Sequence, residues 1–478
     1  MKLKQFAKLA AISAGLLFAA ACQKSILTDS ETSGGSSTNP RSARHPEYHH
    51  IGYGYDATGE YANQSAVKNS VVDVARLSAS GQGRYVSGPS SGQRYYEEYG
   101  ENAEQYSRKV SQKISATTGF PLFGGTISAS YSSSNEGSYS FDGKHVYGNY
   151  HLLIRKRRIN LNAPPETLQQ FLSPQFSLDI VSQSPEYIVR NYGTHVMTDI
   201  YAGGKFNMTF QSETRNSNRT EAARSGIKAS ASFVFNASVE EANSVDVSQA
   251  NQNFSKKLVY YTEGGNSSIG LRGEINLDIS NPTINTNNWQ NSVTWDNAEL
   301  IDFGPDGLIP IYDLIPNPTK RQQVKGYVDH YLSNNTVKNI HRRVPVYSLY
   351  APTTRNQSHN HWLALNPGAE WAQAVNEGIS FYAFSYQAPG TVPVYRYYHQ
   401  RFNNIIHVIN PGRENLSGFT YSHIDFYAYP TPNNTNGTPT IPIHRYQDVR
   451  NFDHYFTPVR TNINNYQYEG IEFHAHNN

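Results

Sequence analysis

Side chains able to do chemistry are thinly spread in this chain, and their spacings are not those of a catalyst. Among 478 residues there are 17 histidines and a single cysteine, Cys22. Two histidine pairs invite a metal reading, His359 with His361, in SHNHWLALNPG, and His474 with His476, in the closing FHAH. Each pair is one residue apart and lacks the cysteine or acidic companions of a zinc site. No HExxH, GxSxG or Walker loop occurs. The expectation is therefore a protein that is not an enzyme and that uses no metal and no cofactor.

The one residue whose chemistry the sequence does suggest is Cys22. Lys2, Lys4 and Lys8 precede an apolar run from Leu9 to Ala21, which is too short to stay in a bilayer as a spanning helix. The run ends in Ala19-Ala20-Ala21-Cys22, which resembles a bacterial lipobox, with Ala19 where a leucine is usual. Residues 1–22 thus read as a lipoprotein signal peptide and Cys22 as the lipidation site. Each buried acyl methylene would contribute about 0.8 kcal/mol to anchoring. Gln23 after the cysteine is compatible with sorting to the outer membrane, so the expected place is the outer membrane or cell surface of a Gram-negative bacterium. Residues 23–46, polar and rich in Ser and Gly, read as a flexible tether.

The elements beyond the tether are expected to be rich in strands. Tyr and Gly each number 35, charged residues make up only 16 %, and the net charge is +2 with the signs interspersed. That composition suits β-structure outside the cytoplasm and offers no basic face for nucleic acid. A chain of this length exceeds one core. We place a first folded region at 47–338, closed by the helical pattern KRQQVKGYVDHYLSN with Val324, Tyr327, Val328 and Tyr331 on one face.

From residue 339 to 478 the chain repeats. VPVYSLY (344–350), VPVYRYY (392–398) and IPIHRYQ (441–447) each open a unit, and EGISFYAF, SHIDFYAY and YEGIEFHAH close them. Three such units cannot each bury a core alone but can do so around a shared axis, so this region reads as an all-β, β-trefoil-like threefold domain. It is similar to aromatic repeat domains at the C-terminal ends of bacterial secreted proteins, some of them sugar-binding. Aromatics shared by all units are assigned to the core. Trp362, Trp371, Arg396 and Arg445, which differ between units, are the glycan-binding candidates.

In the first region, Tyr192-Gly193-Thr194-His195, followed after Val196 by six residues and then Gly203-Gly204, resembles the signature of the membrane-attack-complex/perforin family, with Val196 where the family has an aromatic. GYGYD (52–56), EYIVRN before Tyr192, EGG (263–265) and LIPIYDLI (308–315) fall in the family's order. The resemblance implies an α+β fold, a bent four-stranded antiparallel sheet with flanking helical clusters. It puts Gly203 and Gly204, with Gly264 and Gly265 as a second glycine turn, at the bend. We expect the pair to let the sheet bend and later straighten, and His195 to be a buried hydrogen-bonding residue.

Pore formers of the family unfurl two helical clusters into amphipathic hairpins that join a large oligomeric barrel. The corresponding segments here are about 104–143 and 212–255. The second offers Ile227, Ala229, Ala231, Phe233, Phe235, Ala237 and Val239 at alternating positions, while the first offers only Ile127, Ala129 and Tyr131. The expected function is pore formation or perturbation of a target membrane, with its lipids and a glycan or surface receptor as partners and a homo-oligomer on the membrane. The alternative is a non-lytic adhesin on the same scaffold.

Overall fold

Four long antiparallel strands carry the first region: β1 (Tyr85–Gly100), β2 (Val146–Leu161), β3 (Asp199–Thr214) and β4 (Asn253–Glu263). The computed structural model describes residues 47–133, 139–234, 247–280, 282–352, 359–434 and 438–477. The strands pair in the order β1-β2-β3-β4. Two short strands enlarge the sheet beyond the four expected: Arg272–Asn276 adds to β4, and Glu299–Phe303 pairs with the start of β3. The sheet is therefore six-stranded, because the chain after β4 turns back along two existing strands instead of leaving the sheet.

A second, four-stranded sheet joins Leu308–Pro310, His195–Met197, Tyr53–Tyr55 and Val67–Ser70 in that order. Beside it, the helices Pro174–Ser182 and Pro185–Tyr192 start in the same way. Ser173 and Ser184 accept from the backbone N–H three residues on, and a proline follows each cap, where its missing N–H costs nothing. The closing helix Pro318–Asn334 is capped by Asn317 and buries Val324, Val328 and Leu332, while Tyr327 and Tyr331 are partly buried against the same core.

From Val344 onward three three-stranded sheets follow one another, each with its first strand in the middle. Their first strands are Val344–Ala351, Val392–His399 and Ile441–Asp448. The sheets meet through one phenylalanine from each closing strand. The rings of Phe381, Phe426 and Phe473 form a triangle with centroids 5.7–5.8 Å apart, and all three are fully buried. Bridges Tyr382 to His476, Phe384 to Tyr427, and Tyr429 to His474 link the sheets' ends.

Since each repeat supplies one corner of the triangle, removing one ring opens a cavity shared by all three. Phe426→Ala is expected to cost about 3–5 kcal/mol and to lower one cooperative transition of the C-terminal region, read from its midpoint in urea. A separate melting of the second repeat alone would contradict the shared core.

Candidate functional site

The signature residues fall into two separate structural devices. Tyr192-Gly193-Thr194-His195 fastens the end of the Pro185–Tyr192 helix to the N-terminal strand. Tyr192 is buried and its phenol donates to Asp179 Oδ2 at 2.6 Å. Gly193 ends the helix at φ +77, donates its N–H to Val189 O, and lies so near Tyr55 that a Cβ would stand 2.4 Å from the Tyr55 carbonyl. Thr194 donates its N–H to Tyr55 O and accepts from Ala57 N. His195 is buried, its Nδ1 2.8 Å from Thr194 Oγ1, and burial pushes its pKa down to about 4. The imidazole is thus buried and neutral at ordinary pH, with Thr194 as a hydrogen-bond partner.

Gly203 and Gly204 belong to the other device, a line of irregularities across the long sheet. The β1–β2 register shifts between Pro89 and Gly92, and the β2–β3 register shifts between Arg155 and Arg157, opposite Gly203 and Ala202. A bulge bends and overtwists the strand that carries it. Here it brings the backbones together: a Cβ on Gly203 would lie 1.9 Å from Ile154 O, and one on Gly264 would lie 2.3 Å from Gly203 O. A Cβ on Gly204 would lie 2.6 Å from Val293 and 3.1 Å from Trp289. Gly265 packs on Trp289, whose Nε1 donates to Gly264 O at 2.9 Å. The bent, folded sheet itself already excludes any side chain at Gly203.

Two inserts leave the sheet on opposite faces. Residues 101–145 join β1 to β2, and 215–252 join β3 to β4. The second insert's helix Arg219–Val234 lies on the apolar face, where Ala223, Ile227 and Ala231 pack with Tyr150, Phe206, Met208 and Phe210. Gly148 and Gly226 allow the close approach, since a Cβ on either would collide with Ile227 or Phe210. Ala229 is half-buried on this helix. Phe233 lies in the last described turn of this helix, and Phe235, Ala237 and Val239, like Cys22, lie outside the described residues.

The first insert covers the other face with the helices Ala103–Ser111 and Gly124–Ser128. Ile127 and Tyr131 are buried there, the Tyr131 phenol donating to Thr209 O at 2.7 Å, whereas Ala129 is exposed. In the folded form, therefore, helical i, i+4 packing decides which candidates are covered.

The face beneath the first insert is polar and buried. Asn149 donates to Asn207 and Thr209 at 3.0 and 3.1 Å. Glu98 pairs with Lys113 of the insert and with His151 at 3.2 Å. Burial alone would raise the Glu98 carboxyl, but the two partners outweigh it and hold it at about 2. Lys205, 2 % exposed, pairs with Glu263 at 2.8 Å, and the charges of Glu263 and Glu60 outweigh burial and keep it protonated. None of these residues was singled out from the sequence. Their signal is the strict alternation in KFNMTF, 205–210, which puts Lys205, Asn207 and Thr209 opposite Phe206, Met208 and Phe210.

Arg219 fastens the places where both inserts leave the sheet. Its guanidinium is within hydrogen-bond distance of the carbonyls of Glu101, Gly143, Lys144 and His145, at 2.8–3.2 Å. It also lies 5.2 Å from the ring of Tyr386 in the C-terminal region, and the Tyr386 hydroxyl is 2.6 Å from His341 Nδ1.

Of the four glycan candidates, the two tryptophans pack on each other within the first repeat and the two arginines tie neighbouring repeats together. Trp362 is 1 % exposed, with its Nε1 3.1 Å from Glu370, and Trp371 leans on it at 5.0 Å, partly buried. Arg396 makes a bidentate pair with Glu370 of the preceding repeat at 2.9 and 3.0 Å. Arg445 does the same with Glu414 and adds Glu469 and Glu472. Trp362 and Arg396 are both buried. Among the described residues no group of three His, Cys, Asp or Glu could hold a metal ion.

A long antiparallel sheet with helical inserts at two successive connections, glycines at a bulge line and a YGTH clamp define a perforin-like protein. The MAC/Perforin domain model matches residues 49–341, and the chain belongs to that family. Residues 357–476 match a domain of unknown function (DUF5648). The structure of GNIP1Aa from Chromobacterium piscinae is similar, with a TM-score of 0.50 and 14 % identity, over 86 % of this chain and 91 % of that one. A candidate cell invasion protein with a MAC/Perforin domain from Bacteroides thetaiotaomicron gives 0.49 and 16 % over 66 % of this chain. The present chain spans 65 % of that protein's length. A search of curated proteins found no match.

Two outcomes test the devices. Gly203→Ala is expected to cost at least about 3 kcal/mol in unfolding free energy, whereas Gly88→Ala, in the same sheet but with open space around it, leaves stability unchanged. His195 has a folded pKa below its ordinary 6.5, so its contribution is complete above that value and is lost as pH falls toward about 4. The loss is about 1.4 kcal/mol per pH unit. Thermal midpoints between pH 7.5 and 4.5 are expected to fall less steeply in His195→Gln.

Proposed function

We propose that this protein assembles on a target membrane and refolds its two inserts into β-hairpins that perturb or perforate the bilayer. The observation that supports this most is topological. Each insert connects two adjacent antiparallel strands at one end of the sheet, so refolding it as a hairpin only lengthens an existing pair. Segments 101–145 and 215–252 are each long enough for two strands of about 9–11 residues. The second insert carries two patterns at once: Ala223, Ile227 and Ala231 at helical spacing, and Ile227 to Val239 at strand spacing. Among the described residues no helix is long and apolar enough to cross a membrane, which leaves strands as the spanning elements of this reading.

In the same proposal Cys22 carries the lipid anchor at the outer membrane or cell surface, the target is another membrane, and the protein is not an enzyme. The C-terminal region, a β-trefoil-like module in this reading, recognises a glycan or surface molecule. A second reading, a non-lytic adhesin, is favoured by the small apolar area of the first insert, where Ala129 and several serines occupy strand positions.

Dye release from vesicles decides between them. With the mature protein, release from susceptible lipid extracts is expected, and changing Phe233 and Phe235 to Asp should reduce it at least about 30-fold, since each charge on the lipid face costs on the order of 2 kcal/mol. Binding to the vesicles without release would establish the adhesin reading.

A further inference from the structure

A cavity of about 380 Å³ opens on the polar face beside the bulge line, between β1, β2, β3, the Glu299–Phe303 strand and the first insert. Its size is that of small-molecule sites. Four cations line it: Arg94, Lys113, Arg155 and Lys205. Three are neutralised, Lys113 by Glu98, Arg155 by Asp302 at 2.7 Å and Lys205 by Glu263. Asp302, the one carboxylate in the lining, also accepts from Tyr61 at 3.0 Å. Arg94 is exposed and has no ion pair among the described residues. Arg94 is thus the one lining cation whose guanidinium is not engaged by a carboxylate among the described residues.

Tyr96 and Tyr201 form its walls, with the Arg155 guanidinium fixed 3.8 Å from the Tyr201 ring. Arg155 covers one face of Tyr201 and is spent on Asp302 and the Tyr96 hydroxyl, which leaves the Tyr96 ring to meet the C–H face of a pyranose while the polar side chains of the lining bond its hydroxyls. An unpaired arginine adds a preference for a carboxylate, which its planar fork grips through two hydrogen bonds.

We propose that this cavity binds an acidic sugar of one or two residues, with the carboxylate on Arg94. Because Lys113 belongs to the first insert and the other cations to the sheet, the occupant bridges the two and slows departure of that insert. This site is distinct from the C-terminal region and does not depend on whether the protein lyses membranes.

Calorimetric titration of the mature protein with glucuronate and N-acetylneuraminate, with glucose and inorganic phosphate as controls, is the test. At least one acidic sugar is expected to bind with a Kd below about 1 mM, to weaken about 10-fold or more in Arg94→Gln, and to slow amide exchange in residues 103–117. Arg94 is exposed, so the variant keeps the fold. Four results would each overturn the proposal. They are no binding up to about 10 mM, equal affinity for glucose, equal affinity for phosphate (an adventitious ion only), and protection confined to the C-terminal region with Arg94→Gln unaltered.

Discussion

The space between the backbone of Gly203 and the carbonyl of Ile154 is too small for a single methyl group, and much of the first region is arranged around that contact. It lies where β2 carries one residue more than β3 and where the β1–β2 register also shifts, so the irregularity crosses neighbouring strands together. Trp289 fills the space beyond Gly204 and fixes the second glycine pair through Gly264. A bend shared by several strands cannot be relieved in one of them alone, so it defines a sheet with two stable sides.

Those sides differ in chemistry. One is aliphatic and aromatic and is covered by a helix whose contact residues are alanine, glycine and isoleucine. The other buries asparagine, histidine, lysine and glutamate, compensated in pairs, and is covered by the first insert through Lys113 and Tyr131. A buried ion pair is a weak source of net stability, but leaving one partner behind is costly. Lifting the first insert takes Lys113 from Glu98 and uncovers Val110, Ile114, Phe123 and Ile127, whereas lifting the second exposes Ala223, Ile227 and Ala231 and takes Lys228 from Glu97. Arg219 joins their points of departure and touches the C-terminal region as well.

The C-terminal region follows the same rule of pairing. Its shared aromatics build the Phe381, Phe426 and Phe473 triangle, and Arg396 and Arg445, at the same position of their repeats, each reach a glutamate of the preceding repeat, Glu370 and Glu414. Symmetry thus supplies the core and these two interfaces alike.

The sequence by itself determined the order of elements. The YGTH and glycine signature, the capped helices before it, the closing helix and the three repeats can all be read from local pattern, because caps, turns and periodicity are encoded within a few residues. It also determined which two segments are inserts. What only the tertiary structure decided is the company each residue keeps across long separations. Lys113 and His151 meet Glu98, Lys205 meets Glu263, Arg219 meets Gly143 and Tyr386, and Arg396 meets Glu370. Gly203 is required by a carbonyl 49 positions away in the chain, at Ile154. Such contacts leave no local trace, since a charged or small residue looks the same in sequence whether it faces water or a buried partner brought there by the folding of a whole sheet.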